Sequence, residues 1–455
     1  MAVKGTDLVK LLPQRKGCRE CGFPTCFAFA MKLASGGVTI DKCPYVTPEN
    51  RAKIEELLTP PIRLVTIGSG DAAVEIGNEE VIWRHEKTFI HPPGIAILIS
   101  DAEPEEQVEA KIRKLEELKF PWVGLTLEAN LYALKFESGE RGKFESLTRK
   151  IYETTKRGMI LISEDLDALF AARDICADRN PLIYPITAEN VDAAIPKIKE
   201  RLTPVGVKAE SVEKLVPITE KLAEAGIKDL VLDPGSKTFL DAIRDQTLIR
   251  RAALKQSFRP LGYPTIAFPC FMTSDLRKQA LLASMFVIKY AGIIVLSDLT
   301  RETLLPLLVH RLNIYTDPRL PMQVEAKIYE IGTPDERSPL LVTTNWALTY
   351  FLVSSAIEAS KVPAFLAVKD AEGLGVLTAW AAGKFSGDDV GDFIKKSGIE
   401  QRLAHKTLII PGRVARIRGE LEDALPGWEI IVGPADASAI PAFLPQIASR
   451  LRGGG

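Results

Sequence analysis

The sequence predicts an α/β protein in three parts: a small N-terminal thiolate module, a central (β/α)8 TIM barrel and a C-terminal open parallel α/β sheet of Rossmann or flavodoxin type. Three observations carry that prediction. Four cysteines crowd the first tenth of the chain; short β-branched runs then alternate with amphipathic stretches; and four further strand-like runs, each ending in turn-forming residues, close the sequence. The boundaries fall at 1–58, 59–328 and 329–455, and 455 residues are too many for one ordinary core.

In the first part, Cys18, Cys21 and Cys26 lie within nine residues and Cys43 directly precedes Pro44. Such a cluster is a ligand set, able to surround one centre with four thiolates. Structural zinc prefers two close Cys pairs, whereas three ligands from one turn and a fourth followed by proline suit a [4Fe–4S] cubane better. Gly17, Gly22 and Pro24 keep the backbone open, so that N–H groups can point at sulfurs. Residues 47–61 hold Pro48, Pro60 and Pro61 around a charged helical stretch and read as a short hinge.

The barrel is read from seven strand candidates: 95–100, 122–127, 159–163, 182–187, 230–235, 265–270 and 292–297, with an eighth expected near 62–67 or 203–207. Amphipathic stretches such as 105–118, 190–202 and 211–225 separate them. Barrel chemistry sits at the C-terminal ends of strands, which nominates Asp101, Glu128, Asn130, Glu164, Asp165, Glu189, Asn190, Asp233 and Asp298. Each also suits the cap of the helix that follows. Asp233, before Pro234 and Gly235, is the best exception. Cys176 and Cys270 stand alone and read as small apolar residues.

The third part has strand runs at 340–345, 364–375, 407–413 and 429–438, each followed by a helical stretch. Open α/β sheets bind ligands outside the carboxyl ends of their strands. There Thr343, Thr344, Asn345, Asp370 and Asp436 offer hydrogen bonds, and Gly373, Gly375, Gly412 and Gly433 let backbone approach a bulky ligand. No complete G-x-G-x-x-G follows a strand, so a dinucleotide is not indicated.

Composition narrows the partners. With 58 basic and 59 acidic residues the formal net charge is −1, which gives no support for a nucleic-acid binder. No apolar run is long enough to span a membrane, the N-terminus lacks the apolar centre of a signal peptide, and thiolate ligation suits a reducing compartment, so the cytoplasm is expected.

Three segments together carry a resemblance: CRECGFPTCFAFAMKLASGG with the later KCPYV; RLVTIGSGDAAVEIGNEEVIWRHEKTFIHPPG; and TTNWALTYF with DAEGLG, PGRVARIRGELE and GPADAS. Over essentially its whole length the chain resembles the large (gamma) subunits of corrinoid iron–sulfur proteins of the acetyl-CoA pathway. The resemblance implies a [4Fe–4S] module, a barrel similar to pterin-dependent methyltransferases and a cobalamin-binding C-terminal domain. It assigns the cluster to Cys18, Cys21, Cys26 and Cys43, and the corrinoid to the loops at Thr343–Asn345, Asp370–Gly375, Pro411–Arg413 and Gly433–Ala437, which take in Pro411, Gly412, Arg413, Pro434 and Ala437.

The implied activity is methyl carriage. Cobalt as Co(I) takes a methyl group from methyltetrahydrofolate or a related pterin through a separate methyltransferase and delivers it to the nickel site of acetyl-CoA synthase/carbon monoxide dehydrogenase. A low-potential cluster, fed by a reductive activator or ferredoxin, recovers Co(I) from Co(II). A small subunit is the implied heterodimer partner. The four His residues, His85, His91, His310 and His405, fall outside the C-terminal loops and the DxHxxG motif is absent, so cobalamin is expected base-off without a His ligand. Two alternatives stand beside this reading: a barrel that is itself the methyltransferase, with Asp233, Asn190 and Asn130 near the pterin, and a cluster-bearing electron carrier without corrinoid.

Overall fold

The computed structural model describes residues 4–15, 18–122, 125–317 and 321–453. The chain packs as two compact units, one of Met1–Lys119 with Glu128–Tyr315, the other of Phe120–Leu127 with Thr316–Gly455. Among the described residues no helix is long and apolar enough to cross a membrane.

The first unit begins with three helices, α1 (Gly5–Val9), α2 (Cys26–Ala34) and α3 (Pro48–Leu58). Thr25 and Thr47 cap α2 and α3, accepting from Ala28 N and Asn50 N. Leu8, Phe29, Leu33, Ile40 and Ile54 form their shared core. The proline-flanked stretch expected as a hinge is largely α3 itself. Its C-terminal end is gripped by Arg259, whose guanidinium donates to the carbonyls of Glu56, Thr59 and Pro60 at 2.9 to 3.2 Å. A cation there also complements the helix dipole.

A hairpin follows, β1 (Val65–Ile67) antiparallel to β2 (Val74–Ile76). The closed barrel is built of eight parallel strands: β3 (Gly94–Ser100), β6 (Leu131–Lys135), β7 (Gly158–Ile162), β8 (Leu182–Ile186), β9 (Val205–Lys208), β10 (Leu230–Asp233), β11 (Thr265–Ala267) and β12 (Ala291–Leu296). Val65, Ile67, Val74 and Ile76 pack with the barrel interior, so the hairpin plugs its N-terminal end. Of the two places expected to hide a strand, 203–207 supplies a barrel strand and 62–67 supplies the plug.

The run 122–127 is not a barrel strand. It is the hairpin β4 (Phe120–Trp122) with β5 (Leu125–Leu127), and Val123 and Gly124 lie outside the described residues. The true strand is LYALK at 131–135, a short run buried on both faces that does not stand out beside the more β-branched segment before it. Glu128 and Asn130 therefore sit at the N-terminal end of the barrel. Asn130 Oδ1 accepts from Ile95 N at 2.9 Å, and Glu128 pairs with Arg157 at 2.8 Å.

The second unit holds a five-stranded sheet in the order β13 (Ile328–Ile331), β15 (Ala364–Lys369), β14 (Leu340–Thr344), β16 (Thr407–Ile410), β17 (Glu429–Val432). All but β13 are parallel. The antiparallel edge strand Ile328–Ile331 departs from the expected all-parallel sheet. In chain order the parallel strands run 2-1-3-4, so the winding reverses between β14 and β16, where an open α/β sheet has its crevice.

Candidate cofactor site

The thiol module places its four cysteines on separate pieces of backbone. Cys18 precedes the turn Arg19–Gly22 and Cys21 lies within it, Gly22 takes the left-handed φ of +83° that a side chain would resist, and Cys26 is the first residue of α2. Cys43 ends a short 3-10 turn, its N–H donating to Ile40 O. Cys21, Cys26 and Cys43 pack against one apolar cluster with Phe23 and Phe29, and none of the four is in a disulfide. Gly17 lies outside the described residues. Among the described residues no three His, Cys, Asp or Glu side chains are drawn close enough to grip a single ion.

At the C-terminal ends of the barrel strands the carboxylates hold backbone rather than open space. Asp165 caps its helix through Asp167 N and Ala168 N, and Asp101 accepts from Glu137 N, Ser138 N and Ser138 Oγ. Asn190 Oδ1 accepts from Thr187 N at 2.8 Å, and Asp298 pairs with Lys114. Asp233 is buried, with Tyr184 Oη on one oxygen and Gly235 N on the other. Burial pushes its carboxyl above the usual range against the pull of those bonds, and pushes the Tyr184 hydroxyl up as well. Asn130 stands at the opposite end of the barrel from Asp233 and Asn190, so the three do not converge. Burial raises the thiols of Cys176 and Cys270 to about 12, as expected of small interior residues.

The C-terminal sheet is where a cavity opens. β14 and β16 pair through Leu341 and Ile409 alone, and from that point a cavity of about 550 Å³ runs between the sheet, the helix Ala347–Ser360 and the turn at Ala437–Ala439. Of the residues expected to bind there, Thr343, Gly375, Pro411, Arg413, Gly433, Pro434, Asp436 and Ala437 line it. Arg413 Nε donates to Ala435 O at 2.9 Å, tying two of the lining loops together. Asp436 caps the turn after β17 through Ser438 N and Oγ, which hold its carboxyl below the usual range.

The other five are not among its lining residues. Thr344 faces the opposite side of the sheet from Thr343, because side chains alternate along a strand. Asn345 is buried and uses its whole amide: Nδ2 donates to Gln323 Oε1 at 3.1 Å and Asp370 Oδ1 at 2.9 Å, while Oδ1 accepts from Ala371 N and Gly373 N. Asp370 also accepts from Glu372 N. These bonds fold the loop after β15, where Gly373 has φ +73°. A Cβ on Gly412 would stand 2.5 Å from Gly433 O, so that glycine permits the close approach of two loops.

The remaining lining comes from Trp346, Thr349, Leu352, Val353, Leu377 and Thr378, among others. Sequence reasoning passed over these, although the helix sequence ALTYFLVSSAIEAS is apolar on more faces than one layer of packing needs. Leu348, Phe351 and Leu352, at i, i+3 and i+4, are each about half exposed beside the mouth, with Leu377 across from them. Thr343 is fully buried and its Oγ1 has no hydrogen-bond partner. Among the described residues no His lines the cavity; His405 is held at the far end of the sheet by Ser338 O and Thr407 N.

Comparisons with known proteins identify the family. A family model described as CO dehydrogenase/acetyl-CoA synthase delta subunit matches residues 64–444, and one described as a putative Fe-S cluster matches residues 12–45. The chain is 41% identical over 443 residues to the corrinoid/iron-sulfur protein large subunit of Moorella thermoacetica, covering 97% of this chain and 98% of that protein. It is 36% identical over 452 residues to the acetyl-CoA decarbonylase/synthase complex subunit gamma of Methanopyrus kandleri, covering 97% of each. Among solved structures, a dihydropteroate synthase of Vibrio fischeri aligns with 14% identity and a TM-score of 0.39 over 56% of this chain and 99% of that one, too loosely to argue from. The model named for a delta subunit starts at residue 64, whereas the full-length relatives include the thiol module and are large or gamma subunits, so the latter name the family. The chain belongs to the family of corrinoid/iron–sulfur protein large subunits, the gamma subunits of archaeal acetyl-CoA decarbonylase/synthase complexes.

Proposed function

We propose that the chain is a methyl carrier of acetyl-CoA synthesis, with residues 1–58 holding an iron–sulfur cluster, the eight-stranded barrel following them and the five-stranded C-terminal unit holding a corrinoid. The observation that carries this is the cavity at the β14/β16 switch point, with glycine-lined loops and an unpaired buried hydroxyl, on the same chain as the four-cysteine module. The residues fit both groups. Cys18, Cys21, Cys26 and Cys43 would be the thiolate ligands of a [4Fe–4S] cluster. The loops at 343, 375–378, 411–413 and 433–438 would surround the corrinoid, and among the described residues no His lines the cavity to serve as a cobalt ligand.

When bound, the corrinoid would supply a cobalt able to carry a methyl group between a methyl-tetrahydropterin and the acetyl-CoA synthase nickel site, and the cluster held by the four cysteines would supply the electron that keeps that cobalt reduced. The chain's own residues orient and shield. Asn345 sets the backbone of the loop 370–375, Arg413 binds the loops after β16 and β17 to each other, and the apolar helix Ala347–Ser360 excludes water from the inner cavity. The half-exposed Leu348, Phe351, Leu352 and Leu377 form an apolar rim of the kind that partners cover, which suits a small subunit. Methyltransferase, acetyl-CoA synthase/carbon monoxide dehydrogenase and a ferredoxin or reductive activator are the further partners of this reading. The barrel alternative is disfavoured because Asp233 is already fully bonded to its own fold and Asn130 stands at the other end.

The test is an anoxic metal and cofactor determination on the chain produced with its small subunit. About four irons and one cobalt per heterodimer, with a base-off Co(II) resonance, are expected. Zinc without cobalt would end the methyl-carrier reading.

A further inference from the structure

The thiol module carries a surface that its own packing does not use. α2 buries Phe29, Ala30 and Leu33, yet the opposite side of the same helix presents Phe27 and Met31, 51% and 49% exposed and one turn apart. A third large side chain, Tyr45, is 37% exposed, and the guanidinium of Arg15 lies 3.9 Å over its ring. Chain connectivity ties this surface to the cysteines: Phe27 follows Cys26, Arg19 follows Cys18, Lys42 precedes Cys43 and Tyr45 is two residues beyond it. Consecutive Cα atoms are about 3.8 Å apart, so whatever the four cysteines hold lies close to these exposed side chains.

Charge is as uneven as exposure. Residues 10–46 hold six Lys or Arg and two Asp or Glu, a net +4 in a chain whose total is −1. One of the two acids, Asp41, is already paired with Arg51 at 2.8 Å, whereas Arg15, Arg19, Lys32 and Lys42 have no ion pair among the described residues. Four thiolates around an oxidised [4Fe–4S] centre bring a charge of about −2, which leaves this stretch positive. A half-exposed apolar face with a basic border suits a short-lived contact between proteins. Opposite charge speeds and orients the encounter, and a small apolar area seals it without making it permanent.

We propose that the face of α2 with Phe27 and Met31, bordered by Lys32 on the same helix and by Arg19 and Lys42 beside the cysteines, docks an acidic one-electron carrier protein. The inference rests on the cluster reading above and adds to it the place and the charge of the donor. One electron passes from the carrier's reduced centre to the oxidised cluster; the carrier is oxidised, the cluster reduced, and no bond is made or broken. The carrier becomes less negative and the module less positive in that step. Their attraction therefore weakens once the electron has passed, which favours release of the spent carrier.

The experiment uses the full chain with its small subunit, reconstituted anoxically with iron and sulfide, and a purified bacterial ferredoxin of acidic pI as the probe. Binding is read by fluorescence anisotropy of the labelled probe, and cluster reduction by stopped-flow absorbance with dithionite as a small-molecule reductant for comparison. Lys32→Glu with Lys42→Glu is expected to weaken binding at least about ten-fold at low salt, and wild-type affinity to fall by a similar factor between about 20 and 200 mM salt. Phe27→Gln with Met31→Gln is expected to weaken it about ten-fold at either salt, while iron content and the dithionite rate stay unchanged. Affinity indifferent to both pairs or to salt overturns the proposal, as does a basic cytochrome c bound as tightly as the ferredoxin. If α2 is shielded from hydroxyl-radical labelling before the carrier is added, the face belongs to another part of the complex and the proposal fails. If the Gln pair slows dithionite as much as the carrier, these side chains support the cluster rather than dock a donor, which overturns it too. Failure of the wild-type complex to take up iron overturns the cluster reading as well.

Discussion

Replacing Asn345 by Asp separates a loop organiser from a ligand contact. The change keeps the oxygen that accepts from Ala371 N and Gly373 N, and removes the amine that donates to Gln323 Oε1 and Asp370 Oδ1. The bond to the Asp370 carboxylate is charge-assisted and contributes about 2 kcal/mol, and the neutral bond to Gln323 about 1 kcal/mol. The new carboxylate would also face Asp370 in a site only 3% exposed. Asn345→Asp should therefore cost at least about 3 kcal/mol of stability in the C-terminal unit near neutral pH. Urea unfolding followed by tryptophan fluorescence, with Trp346, Trp380 and Trp428 as reporters, reads this directly.

The pH dependence is distinctive. The introduced carboxyl, buried beside another, binds its proton more tightly when folded than when unfolded. The variant's stability is then fullest below the ordinary carboxylate range and falls as pH rises through the raised folded value, so the deficit shrinks on acidification as a protonated carboxyl again donates to Asp370. Unchanged stability at pH 7 combined with weakened corrinoid binding would refute this account and place Asn345 against the ligand.

Three further outcomes follow from the geometry. Asp233→Asn should gain on the wild type as pH rises above the ordinary carboxylate range, because burial raises the native carboxyl and the stability of its protonated form is lost as pH climbs from the unfolded value through the raised folded one; parallel melting curves would show the burial argument wrong. Gly412→Ala should cost about 1–3 kcal/mol by forcing a methyl against Gly433 O and Ala435 N, seen as a lowered melting temperature and weaker corrinoid uptake; a neutral effect would mean the loops part freely. Arg259→Ala should raise proteolytic cleavage between residues 56 and 63 several-fold, since three carbonyls lose their donor; unchanged cleavage would show that the grip adds nothing.

The sequence made the thiol module and the C-terminal parallel strands legible because each has a local signature: cysteines at close spacing, and β-branched runs ending in glycine and proline. Barrel strand 131–135 was not legible. LYALK has no β-branched residue, and its place in the cylinder is set by pairing with β3 and β7, a contact remote in sequence. The same limit applied at the cavity. Thr343 and Thr344 are indistinguishable as neighbours in a sequence, yet the pleat sends one to the cavity side and the other behind it. Asn345 and Asp370 looked like ligand hydrogen-bonders because their chemistry suits that task. Tertiary packing brings them together across 25 positions, and they satisfy each other instead.

The attachment of α3 has a mechanical meaning for the thiol module. The helix is 11 residues long, about 16 Å at 1.5 Å per residue. Ile54 is embedded among the module's apolar side chains, and the far end is clasped by Arg259 beside the N-terminal end of the barrel. Leu58, the last residue of the helix, packs on the same core, so the helix lies against the module and its pinned end leaves no slack tether. Freeing the module would mean releasing two guanidiniums, because Arg259 and Arg63 hold the same helix end from separate stretches of the chain.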